Sequence, residues 1–299
     1  MWLSLAFLSA ALLGLYDFFK KTSLNGNAVI PVLFLNTLFS SLIFVPLLLL
    51  STVYPEMMRD TMVYIRPIEW SSQLLLILKA VIVLSSWIFT YFAMKHLPIT
   101  ITGPIRATQP ILVLLGALLI FGERLNLYQW IGVIIAIASF FLLSLSGKKE
   151  GIHFKNNKWI LYTVFATITG AMSGLYDKYL LKSLDPMTVQ VWYTFYQFLI
   201  MGVILLVLWV PQRRSSTPFQ WRWSILFISL FLCLADFVYF YALSDQDSMI
   251  SIVSMVRRSG VVVSFICGAL FLHEKNIKSK AIDMVLVLLG MFFLYLGTK

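Results

Sequence analysis

The sequence predicts an all-α integral membrane protein of about ten transmembrane helices, built as two five-helix repeats of inverted topology. Three observations predict this. Of 299 residues, 60% are apolar and only 12% charged, with a mean hydropathy of +0.88. A soluble domain carries roughly a quarter charged residues, so polar surface is too scarce here to coat a water-soluble globule. Apolar stretches of membrane length recur ten times, and motifs of the first half return in the second.

A helix needs about 20 apolar residues to cross the hydrocarbon core. Such stretches run over 2–19, 28–53, 70–94, 99–121, 127–145, 159–181, 187–210, 223–243, 249–272 and 281–296. The first opens MWLSL, with no Lys or Arg before Lys20 to form a basic n-region, so it is expected to be a retained helix and not a secretory signal. The second shows none of the apolar–polar alternation of a membrane strand. In the fourth, Gly103, Pro104 and Pro110 are expected to interrupt the helix, since proline removes a backbone donor and crowds the preceding turn. Cys233 and Cys267 both fall inside spans without metal-ligand spacing, and are expected to pack as small apolar residues. The net charge of +10 fits Lys and Arg at helix ends, facing anionic head groups; nothing resembles nucleic-acid readout.

The repeat is legible residue by residue. The first span contains GLYDFFKK from Gly14, and 160 residues later the sixth contains GLYDKYLLK from Gly174. LIFGERLN, ending at Asn126, is answered by ALFLHEKN, ending at Asn276; Glu123 corresponds to Glu274, 151 residues on, and Asn126 to Asn276, one residue out of that register. Arg106 and Arg257 stand at the same separation of 151 residues, and TYFAM and YFYAL align Ala93 with Ala242. The repeats occupy 1–147 and 157–299. Five spans per repeat make the second copy enter the membrane from the opposite side. Secondary carriers of this design hold their substrate near the midplane between the repeats and work by alternating access.

The segment GERLNLYQWIGVIIAIAS from Gly122, across the fourth-to-fifth connection, resembles an EamA-type member of the drug/metabolite transporter superfamily. The family pattern of a Glu after the fourth helix, then a Gln and a Gly, fits Glu123, Gln129 and Gly132. In the second half Glu274 fits, but KSKAIDMVLVLLG contains no Gln, so that match is partial. The resemblance implies a multi-pass carrier of amino acids, carboxylates, sugars or related metabolites in a bacterial cytoplasmic membrane. It implies no covalent chemistry and no bound cofactor, with Glu123 and Glu274 bracing the connections. The expected partners are a small-molecule substrate, the lipid bilayer, and a coupling proton or counter-substrate. On orientation the sequence speaks twice: six Lys and Arg on the side of the termini against thirteen opposite put the termini outside, whereas the resemblance implies termini inside.

Ionisable residues deep in a span usually face a partner or a watery cavity. Here these are Lys79, Arg106, Asp236, Arg257 and Arg258, with Asp17 and Asp177 nearer helix ends. One reading is two buried ion pairs, Asp17 with Arg106 and its counterpart Asp177 with Arg257. Another is that Arg106 and Arg257 face the cavity and attract a carboxylate or phosphate, which a guanidinium grips bidentately. A third is that one or more lie at the interface and reach up to water. Gln109 shares a helix face with Arg106. Asp236 and Lys79, which have no matching charge in the other half, are expected to pair or to line one side of the cavity, and join the candidate substrate site with Trp87 and Tyr91; Trp192, Tyr196, Tyr239 and Tyr241 are further aromatic candidates for the pocket lining. Asp17 and Asp177 each follow a tyrosine, Tyr16 and Tyr176, and form a candidate coupling or gating group.

An enzyme would need a nucleophile, a metal cluster or a paired acid and base. His96, His153 and His273 sit far apart in connections, and no metal or catalytic grouping is legible. A channel or a non-transporting membrane protein is the alternative class, separable from a carrier by saturable exchange.

Overall fold

The computed structural model describes residues 2–121, 156–245, 250–272 and 277–297, together with 126–128, 130–132, 134, 135, 138 and 142. Glu123, Gln129, Glu274, Asn276, His153 and His273 lie outside these residues. Every regular element among the described residues is helical. The first three spans are Trp2–Leu24, Val29–Val53 and Trp70–His96, and the fourth is two half-helices, Ile99–Ala107 and Gln109–Phe121. The described residues of the fifth span are helical, Gly132 included. The sixth to eighth are Lys158–Leu180, Pro186–Ile204 (continued as a π-helical turn, Leu205–Trp209) and Ser224–Ser244. The ninth is again divided, into Ile250–Arg258 and Gly260–Phe271, and Ile277–Leu296 is the tenth. Five of these helices, from the second, third, sixth, seventh and eighth spans, are each long and apolar enough to cross a membrane unaided.

Packing is inverted relative to a soluble protein. Asn36, Thr163, Gln190, Gln197 and Ser229 are buried to within 1% of full burial, whereas Leu119 is 81% and Leu270 63% exposed. An outward face of leucine and an inward face of amide and hydroxyl match a surrounding solvent of hydrocarbon. The protein is therefore an integral, multi-pass membrane bundle.

The repeats are interlocked reciprocally. The first span packs chiefly on the eighth and ninth; its counterpart, the sixth, packs on the third and fourth. The second and seventh spans face each other. Hydroxyls bridge the two equivalent crossings: Ser9 donates to the Ala235 carbonyl at 2.7 Å, and Ser86, the counterpart of Ala235, donates to the Ala166 carbonyl at 2.8 Å. Small polar residues serve this purpose widely where helices meet in lipid. Each repeat thus lends its first helix to the other, as an inverted pair about a pseudo-two-fold axis requires.

The breaks in the fourth and ninth spans fall at matching places, Thr108 and Ser259, again 151 residues apart. Each hydroxyl turns back on the carbonyl three residues earlier, Thr108 on Ile105 at 2.7 Å and Ser259 on Val256 at 2.6 Å. Such local bonds compete with the helical ladder. The expectation of an interruption at Gly103 and Pro104 is corrected: both lie within the unbroken half-helix Ile99–Ala107. Pro110 lies at the second position of the half-helix that follows, where its missing N–H costs nothing.

Candidate functional site

A cavity of about 90 Å³ opens where the first, third, fourth, sixth, seventh, eighth and ninth spans converge. Counterpart residues line it in pairs: Leu13 with Ser173, Val83 with Leu232, Trp87 with Asp236, and Arg106 with Arg257. The cavity therefore straddles the pseudo-two-fold axis. A smaller recess of about 20 Å³ adjoins it between the fourth and ninth spans, bordered by Asp17, Gly103, Arg106, Arg257, Arg258 and Gly260.

Charge in this region is organised as a network. Arg106 Nη1 donates to both Asp17 oxygens, at 3.0 and 3.1 Å, and Lys20 Nζ to Asp17 Oδ1 at 2.5 Å. Lys20 is 1% exposed, with its ammonium 4.1 Å from the centre of the Tyr16 ring and 5.4 Å from that of Tyr91. Lys79 pairs with Asp177 and donates to Ser173 Oγ at 2.7 Å. Arg257 pairs with Asp236 and lies 3.9 Å over the Tyr239 ring, while the Tyr193 hydroxyl donates to Asp236 Oδ2 at 2.8 Å. A charge removed from water is tolerable when a partner of opposite sign and further hydrogen bonds replace the hydration shell.

The Asp17–Arg106 pairing expected from the repeat is present, but the expected Asp177–Arg257 pairing is not. Its absence follows from three substitutions between the halves. Arg257 finds Asp236, whereas the position equivalent to Asp236 in the first half is Trp87, which leaves Arg106 with Asp17. Asp177 finds Lys79 on the third span, whose counterpart on the eighth is Ile228. Asp17 instead receives Lys20 from its own helix, where the sixth span has Leu180. The first span runs on to Leu24, which carries Lys20 and Asp17 into the bundle and not to its edge.

Of the residues singled out by sequence, Arg106, Gln109, Arg257, Asp236, Lys79, Trp87, Tyr16 and Asp177 line the cavity, and Asp17 borders the recess. Tyr91 is fully buried behind Tyr16, outside the lining. Tyr176 turns away, its hydroxyl donating to the Leu75 carbonyl at 3.2 Å and its ring stacked on Tyr179. Tyr239 lines the cavity, whereas Tyr196 bonds Gln73, Tyr241 bonds the Met62 carbonyl and Trp192 joins an apolar cluster. Sequence reasoning passed over Tyr193, Ser86 and Ser173, for which helix-face assignment was the missing signal. Arg258 was weighed only as an intramembrane charge, and it lines both cavity and recess. Among the described residues, no group of three His, Cys, Asp or Glu could hold a metal ion.

No curated protein matches the sequence. One solved crystal structure aligns over 99% of this chain and 98% of its own, with a TM-score of 0.67 at 13% identity, a likeness of fold. The EamA-like transporter family matches twice, over residues 1–145 and 157–296, one match for each set of five spans. With the interlocked inverted repeats and the charged cavity between them, that double match makes this chain a member of the EamA-like transporter family of the drug/metabolite transporter superfamily.

Proposed function

We propose that the protein is a secondary carrier of a small polar metabolite, of the amino-acid, carboxylate or sugar class, which it binds in the cavity between the repeats and moves by alternating access. The observation that carries this reading is the lining of one polar cavity by counterpart residues of both repeats. A site on the pseudo-two-fold axis is reached from either face by rocking one repeat against the other. The paired groups Arg106–Asp17, Lys79–Asp177 and Arg257–Asp236 supply polar anchors, and Trp87 supplies an apolar wall. The acids Asp17 and Asp177, with Tyr16, stand where a coupling proton or a gate would act, and a counter-substrate is the alternative driver. The family resemblance supports a bacterial cytoplasmic membrane as the location.

The test is counterflow in proteoliposomes, with the native Cys233 and Cys267 replaced and a single cysteine placed at Ser173. A carrier shows saturable uptake stimulated by unlabelled solute on the opposite side, and loses it on thiol modification at 173. Flux that neither saturates nor shows trans-stimulation identifies a channel and overturns the reading.

A further inference from the structure

The charges around the cavity do not balance among the described residues. Lys20, Lys79, Arg106, Arg257 and Arg258 face only Asp17, Asp177 and Asp236 among the described residues. Each of the other four cations is salt-bridged to a carboxylate; among the described residues Arg258 has neither an ion pair nor a hydrogen bond. It stands at the end of the half-helix Ile250–Arg258, eight residues or roughly 12 Å along the axis from the nearer end of the ninth span. An unpaired guanidinium at that depth is unfavourable on insertion scales, so its retention calls for a compensating role.

The fold itself does not ask for it. By the 151-residue repeat the counterpart of Arg258 is Ala107, and the fourth span makes the same hydroxyl-turned break directly after that alanine. The recess beside Arg258 gathers the guanidiniums of Arg106 and Arg257 as well, with Asp17 as its one carboxylate among the described residues, and Gly260 opens the second half-helix on its wall. Three planar donor groups around a space of about 20 Å³ suit a single carboxylate or phosphate group.

We propose that the transported solute is an organic anion, whose carboxylate or phosphate group is held by Arg258 in the recess between the fourth and ninth spans. The remainder of the solute extends into the larger cavity, against Trp87 and Tyr239. This rests on the carrier reading above and names its substrate class. The Asp17–Arg106 and Asp236–Arg257 pairs supply secondary donors, already largely neutralised, so Arg258 dominates the attraction.

The test uses the full chain in detergent, as wild type, Arg258→Ala and Arg258→Lys, with thermal shift and calorimetric titration. The probes are succinate, glycerol 3-phosphate and a neutral methyl ester or amide of each. Succinate or glycerol 3-phosphate raises the melting temperature of the wild type, and the neutral analogues do not. Arg258→Ala keeps a wild-type or higher melting temperature without ligand and binds the anion at least about tenfold more weakly, the scale of one lost charge-assisted bond. Arg258→Lys retains part of the affinity, and keeps the test valid should the alanine variant misfold. A carboxylate-only or phosphate-only response identifies the group within the proposed class. Equal binding of neutral analogues, wild-type anion affinity in Arg258→Ala, or no response to either anion at about 10 mM overturns the proposal. Transport of neutral solutes untouched by Arg258→Ala would do so while leaving the carrier reading intact. Anion binding without counterflow would overturn the carrier reading and leave the anion site standing.

Discussion

The Lys79 ammonium in the third span and the Asp177 carboxylate in the sixth form an ion pair that joins the first repeat to the second across the cavity wall. Both side chains are almost fully buried. Removing either partner alone leaves an uncompensated buried charge, with an expected loss of about 3–5 kcal/mol. Replacing both by apolar residues of similar volume, Lys79→Met with Asp177→Leu, is expected to return most of the stability, because the desolvation of two ions then no longer has to be offset. Thermal melts of the purified single and double variants check this. A double variant as unstable as the worse single would show that the pair does not act as a unit.

Asp17 serves two cations, Arg106 and Lys20, so its variants should rank in a fixed order. Lys20→Met leaves Asp17 bonded to Arg106 and is expected to be the mildest change. Asp17→Asn strands two buried cations and is expected to be the most damaging of the set. The folded yield of each variant by size-exclusion chromatography gives the ranking, and a milder effect of Asp17→Asn than of Lys20→Met would contradict it.

Tyr193 and Tyr239 hold the Asp236–Arg257 pair from opposite ends, one by a hydrogen bond and the other by its ring face. Tyr193→Phe removes a bond to a charged oxygen and is expected to lower stability by about 1.5–3 kcal/mol. Tyr239→Leu removes a cation–π contact of about 0.5–2 kcal/mol and also widens the cavity. Denaturant or thermal melts should separate them, with the larger stability loss in Tyr193→Phe and the larger change in ligand affinity in Tyr239→Leu.

Two glycines at equivalent helix crossings should respond differently to one methyl group. A Cβ on Gly260 would lie 2.1 Å from the Ala10 carbonyl oxygen, a backbone atom that cannot step aside. Gly260→Ala is therefore expected to abolish folded protein or lower its melting temperature steeply. A Cβ on Gly170 would lie 2.7 Å from Gln109 Oε1, the far end of a flexible side chain. Gly170→Ala should fold, with Gln109 displaced and ligand affinity altered. Equal tolerance of the two alanines would show that the first and ninth spans do not touch as described.

The spans were legible from hydropathy to within a few residues at most ends, because about 20 consecutive apolar residues leave little freedom in a bilayer. The first span was the exception: Lys20 and Lys21 suggested an end, but Lys20 is neutralised by Asp17 and Lys21 donates to the Met94 and Leu97 carbonyls, so the helix continues to Leu24. A break in the fourth span is legible from its prolines and is found at Thr108, whereas the matching break at Ser259 is not legible, since the ninth span has no proline and a hydroxyl takes its place. Of the network, Asp17–Arg106 could be read from the repeat. Lys79–Asp177 could not, because the counterpart of Lys79 in the second half is Ile228 and the repeat offers no equivalent pair. On a continuous helix Arg258 would be turned about 100° away from Arg257. The helix ends there, and both guanidiniums reach the same recess.

The Ala10–Gly260 and Gly170–Gln109 crossings have a mechanical consequence. By the repeat, Ala10 answers Gly170 and Gly260 answers Gln109, so the two places are the same joint built with different spacers. Where the first span meets the ninth, backbone rests on backbone, and the gap has no slack to give up. Where the sixth meets the fourth, a glutamine side chain stands between, and its rotamers can shorten or lengthen the gap. For the alternating access proposed above, one rigid bearing and one sprung bearing imply an uneven rocking, about the rigid joint, with the play on the side where Gln109 faces the cavity.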